Sequence, residues 1–111
     1  MQRVIDRAKE IWNLYVDSDK RRHGHEWERS EYARALAADV GALIKLTMAK
    51  DGLREVEDVD KKFKHELADC LWSIIIIADK YGYDLEEAFF ETMDELGKRA
   101  GEDDLARSHS L

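Results

Sequence analysis

The sequence predicts an all-α protein, a four-helix bundle built as one domain, on three observations. Proline, the strongest helix breaker, is absent from all 111 residues. The six glycines fall mostly between segments. Within each segment apolar residues recur at three- and four-residue spacing, the period of one helix face.

The first helix is expected from about residue 2, with Val4, Ile5, Ala8, Ile11, Trp12, Tyr15 and Val16 at helical spacing, and the polar run from Asp17 to His25 reads as a loop. A second helix is expected over residues 28–50, with Tyr32, Leu36, Val40, Leu43, Ile44 and Thr47 on one face and Asp51-Gly52 as its stop. Gly41 inside it costs roughly 1 kcal/mol relative to alanine, which points to a close backbone approach. The third helix should begin with Asp58 as N-cap and end at Tyr81, with Gly82 just beyond it. Four consecutive isoleucines, 74–77, are also compatible with a buried strand, but the breaker-free segment around them is far longer than ordinary strands. Asp84 with Glu87 resembles a capping box opening a fourth helix that carries Leu85, Ala88, Phe89, Thr92, Met93 and Leu96 and finishes near Gly101. The domain is therefore expected over 1–101, followed by a frayed or disordered 102–111 tail.

A helical domain this short leaves apolar surface uncovered, so a homodimer or homotetramer is expected. The net charge of −7 argues against a nucleic-acid polymer as partner, because phosphate neutralisation needs a clustered positive surface. One cysteine, Cys70, excludes an internal disulfide. No apolar stretch is long enough to span a bilayer, and no basic-then-apolar leader precedes the first helix, so a cytoplasmic protein without a membrane segment is expected.

The segment that carries chemistry is Glu66-Leu-Ala-Asp69, two carboxylates three residues apart, running into the apolar stretch from Leu71 to Ala78. On a helix these two share a face. An apolar helix holding two charges implies buried carboxylates, and these need a partner, a proton or a metal. The second helix offers one comparable acid, Asp39, among Ala37, Ala38, Val40, Gly41, Ala42 and Leu43. Antiparallel packing of the two helices across their short connection would bring Asp39 to the Glu66/Asp69 pair. Three hard oxygen donors suit Mg²⁺, or Mn²⁺, bridging to substrate phosphates. Against this stand plainer roles: Asp39 as a solvated helix residue, and Glu66 paired with Lys62 at i,i+4 spacing.

From Glu66 to Ala88 the chain resembles the third helix and following turn of MazG-like nucleotide pyrophosphohydrolases, of the all-α NTP pyrophosphatase superfamily, and the resemblance extends over roughly Trp27 to Arg99. That family carries Glu-Glu-x-x-Glu on one helix and Glu-x-x-Asp on the next. The second half matches at Glu66 and Asp69. The first aligns with Ala38-Asp39-Val-Gly-Ala42, which keeps one acid and the Val-Gly pair and loses the others. The resemblance implies that Asp39, Glu66 and Asp69 hold Mg²⁺ for cutting a nucleoside triphosphate into monophosphate and pyrophosphate, clearing non-canonical or surplus nucleotides. Ala42 cannot ligate a metal, which leaves open reduced activity, operation with one metal, or a silent relative that only binds metal and nucleotide.

Further candidates are Lys45, Lys50, Lys98 and Arg99 for phosphate oxygens, although among 18 basic residues each reads more readily as a surface charge. Trp27 and Trp72 are candidates to stack a base, with core packing the plainer role for Trp72. The His23/His25 pair lacks the further ligands of a zinc site. Cys70, inside the apolar helix, reads as a small hydrophobe and not a nucleophile.

Overall fold

Four helices and no strand make up the described chain: α1 (Gln2–His23), α2 (Arg29–Lys50), α3 (Val59–Tyr81) and α4 (Leu85–Ser110). The computed structural model describes residues 1–23 and 29–110, with side chains at 1–18, 21 and 29–102. Two boundaries differ from expectation. The run from Asp17 to His23, read as a loop, continues α1. It contains no glycine or proline, and charged residues without an apolar period still form a solvated helix. Likewise α4 passes the expected stop at Gly101 and takes in the tail as far as Ser110, because one glycine costs too little to end a helix whose following residues include Glu102, Leu105, Ala106 and Arg107.

The α2–α3 connection is built from two helix ends. Gly52, at φ +80°, closes α2: its N–H donates to Ala49 O and that of Leu53 to Met48 O, 2.8 Å, the Schellman pattern. Gly82, at φ +77°, ends α3 the same way, with Tyr83 N–H on Ala78 O at 2.9 Å. The start of α3 departs from the expected cap. Asp58 sits at φ +51°, and its side chain accepts no capping hydrogen bond. The first turn is tied instead by Lys50 Nζ to Asp60 Oδ1 at 2.6 Å, which holds the Asp60 carboxyl below its ordinary value. At α4 one half of the expected capping box is found, with Glu87 N–H donating to Asp84 Oδ1 at 3.0 Å.

Helices α2 and α3 pack antiparallel, in a register read from three pairs along their length: Lys50 with Asp60, Asp39 with Glu66, and Arg29 over the Tyr81 ring. α1 lies against α3 at the opposite end of this pair from the Lys50–Asp60 contact. Ala8, Tyr32, Ile75 and Ile76 form the core there, with Trp12 and Trp72 packed against it. Trp12 Nε1–H donates to Tyr32 Oη at 2.7 Å and Trp72 Nε1–H to Ala8 O at 3.1 Å, so both indoles are locked by burial and by a hydrogen bond. Gly41 does not serve a close approach within the chain, since a Cβ there would meet nothing within 4 Å.

The apolar face expected for α2 divides. Tyr32 and Leu46 are buried, while Val40, Ile44 and Met48 form an exposed stripe. Leu67, Leu71 and Ile74 on α3, and Phe89, Met93 and Leu96 on α4, make two more. The radius of gyration is 18.8 Å, against about 13 Å for a compact domain of 100 residues. No helix among the described residues is long and apolar enough to cross a membrane.

Ile76 is fully buried, so Ile76→Ala should cost about 2–5 kcal/mol in urea denaturation. Gly41→Ala should instead stabilise by roughly 0.5–1 kcal/mol. A loss at Gly41 would show that a backbone outside this chain approaches there.

Candidate metal centre

Each acid reaches the site by helix geometry. Glu66 and Asp69 stand one turn apart on α3, and the antiparallel register sets Asp39 of α2 opposite them. One carboxylate oxygen from each lies within 4.8 Å of the other two. All three side chains are half-buried, which corrects the expectation of fully buried charges: much of the α3 surface that looked buried in the sequence is open in the chain.

Burial first, then hydrogen bonding to Asp39 and the charges of Asp39 and Asp69, push the Glu66 carboxyl above its ordinary value. Three carboxylates this close compete for a proton or a cation. Among the described residues no ion pair joins Lys62 to Glu66, and His65 Nε2 lies 3.1 Å from Asp69 Oδ2. The donor set fits Mg²⁺ or Mn²⁺. Oxygens about 2.1 Å from an octahedral ion stand about 3.0–4.2 Å apart, which small side-chain rotations reach from 4.8 Å. Cys70, next to Asp69, is buried, and burial followed by the three carboxylates raises its thiol, the opposite of an activated nucleophile.

The triad stands between two cavities. One, of about 560 Å³, opens at the α2–α3 turn, where the basic Lys45, Arg54, Lys61 and Lys62 line it together with the acidic Asp58 and Glu66 and with Ala42. The other, of about 570 Å³, lies between α1, α2 and α3, where Asp39, Asp69 and Ser73 meet Trp12, Tyr15 and Trp72. Tyr15 tilts against Trp72 with ring centroids 5.9 Å apart.

Of the residues singled out in the sequence, the structure brings Asp39, Glu66 and Asp69 together, with Lys45 on the cavity that Glu66 lines and Trp72 on the one that Asp39 and Asp69 line. Lys50 is not among those lining either cavity and is engaged by Asp60. Lys98 and Arg99 lie on the exposed far half of α4, away from both cavities, because α4 leaves α3 soon after the Gly82 turn. Trp27 falls outside the described residues, as do His25 and the His23 side chain. Sequence reading missed Arg54, Lys61 and Lys62 on one side and Trp12 and Tyr15 on the other. The lysines had a signal, the basic cluster Lys61-Lys62-Phe-Lys64-His65, but it resembles a solvated helix start.

The fold and site define an all-helical protein with a three-carboxylate cluster between a cavity of mixed charge and an aromatic one. No protein-family model, curated protein or solved structure matches the chain.

Because Glu66 binds its proton more tightly folded than unfolded, stability falls as pH rises from its unfolded value through the raised folded one. In metal-free protein Glu66→Gln should therefore raise the melting temperature at neutral pH, with the gain shrinking towards about pH 4, where the carboxyl is protonated in both states. Thermal melts across pH check this; a gain independent of pH, or a loss at pH 7, would contradict it.

Proposed function

We propose that the protein is a Mg²⁺-dependent nucleoside triphosphate pyrophosphohydrolase of MazG-like type, releasing monophosphate and pyrophosphate. The observation that supports it best is the convergence of Asp39, Glu66 and Asp69 between a cavity lined by cations and one lined by rings. When bound, the metal supplies polarisation of water and neutralisation of charge on phosphoryl oxygens. The chain's residues supply the rest. The three carboxylates hold the cation, Lys45 and its neighbours orient phosphates, and Trp72 with Tyr15 offers faces for the base.

A second reading, a metal–nucleotide binder that does not cut, draws on Ala42. It lines the cationic cavity beside Glu66, where the resemblance places another acid. A purely structural role for the acids has less support, since among the described residues none of the three is paired with a lysine or arginine. Self-association belongs to the same proposal. The three exposed stripes on α2, α3 and α4 are spaced as helix faces, and covering them with a second copy would remove apolar surface from water.

Pyrophosphate release from a panel of canonical and modified NTPs and dNTPs, with Mg²⁺ or Mn²⁺, tests the reaction. Turnover should fall at least about a hundredfold in Glu66→Gln, in line with the loss of a group that positions a catalytic cation. Unchanged metal-dependent turnover in that variant would refute the site. Silence of the native protein, with metal plus nucleotide still raising its melting temperature, would select the binder.

A further inference from the structure

We infer that the cavity between α1, α2 and α3 is a binding site for an organic cation of the quaternary or N-methylated ammonium class, held by ring faces and by the carboxylates of Asp39 and Asp69. Four aromatic side chains, Trp12, Tyr15, Tyr32 and Trp72, line this cavity of about 570 Å³ together with the two acids, and no lysine, arginine or histidine is among its lining residues. Tyr15 and Trp72 meet at an interplanar angle of 52°, as two walls of a corner and not as a parallel slot. Both indole N–H groups are engaged elsewhere, that of Trp12 by Tyr32 Oη and that of Trp72 by Ala8 O. With those donors taken, the indoles have only their rings left to offer a ligand. Aromatic faces and carboxylate oxygens together attract positive charge and repel an anion.

One of these rings already carries such a contact. Lys80 Nζ lies 3.0 Å from the centroid of the Trp12 ring and 3.8 Å from Asp79 Oδ2, so an ammonium rests between an indole face and a carboxylate. The cavity repeats that combination with more rings and two acids. A methylated ammonium suits it better than a primary amine, because its charge is weakly hydrated and its methyl groups meet a lining that includes Ile11 and Val16. The cation site does not depend on the nucleotide reading, which asks of this cavity only ring faces for a base. A neutral base would leave the two carboxylates of the metal-free chain without a positive partner in the cavity.

The test titrates the full chain, in EDTA, with choline and with the uncharged alcohol that carries a tert-butyl group in place of the trimethylammonium, and reads affinity by calorimetry. Choline should bind, and the alcohol should bind at least about tenfold more weakly. Tyr15 is exposed, so its replacement spares the core. Tyr15→Phe, which keeps the ring, should bind choline as the native protein does, whereas Tyr15→Leu should bind it roughly threefold more weakly. Asp39→Asn should weaken binding too. Phe89→Leu, which removes an exposed ring of α4 outside the cavity, should change nothing. Equal binding of the alcohol would reduce the cavity to an apolar pocket and overturn the inference. So would no binding of choline, full affinity in Tyr15→Leu or Asp39→Asn, or an equal loss in Phe89→Leu. Pyrophosphate release is read separately: choline binding without turnover keeps the cation site and removes the hydrolase reading, and turnover without choline binding does the reverse.

Discussion

The antiparallel pairing of α2 with α3 is the constraint on which the remaining structure depends. Two glycines in left-handed conformation end the helices, and the Lys50–Asp60 contact pins the register at the turn. Once that register is set, Asp39 must face Glu66 and Asp69, and Tyr32 must reach Ile75 and Ile76. A shift of one residue along α2 would turn Asp39 about 100° away from α3 and empty the centre. The same pairing makes α3 the surface against which α1 packs, so the aromatic cavity is a consequence of the register too.

Charge follows from this geometry. Helix packing brings three carboxylates together, and partial burial followed by its acidic neighbours makes Glu66 hold its proton more tightly. Such a cluster is tolerated because its members remain half in contact with water, and a divalent cation would relieve it. Positive side chains gather a turn away, around Ala42, and do not pair with the acids. The carboxylates thus stand between two cavities, one with rings on its wall and one with lysines and Arg54 on its wall.

Much of the fold was legible, because helix periodicity and punctuation are local. Gly52, Gly82 and the Asp84 cap stand where the sequence placed them. The ends of α1 and α4 were misplaced for one reason: a solvated helix has no apolar period to read. Asp39, Glu66 and Asp69 could be picked out since their spacing and apolar neighbours are sequence properties. Their degree of burial could not, because the isoleucines and leucines around them divide between the core and open faces such as Leu67 and Ile74. Arg54 and Lys61 were invisible as a pair: nothing in a list of surface charges tells which converge on a cavity. Lys50, chosen for its position, is taken by an acid ten residues on.

The proposed chemistry requires Asp39, Glu66 and Asp69 to act as one cation site. Titrating Mn²⁺ into nucleotide-free protein, followed by calorimetry or by its electron paramagnetic resonance signal, tests this most directly when repeated on Asp39→Asn and Asp69→Asn. Saturable binding to the native chain is expected, with loss of that binding in each variant, although the two residues lie on different helices. Binding that survives either substitution, or none to the native protein, would contradict it.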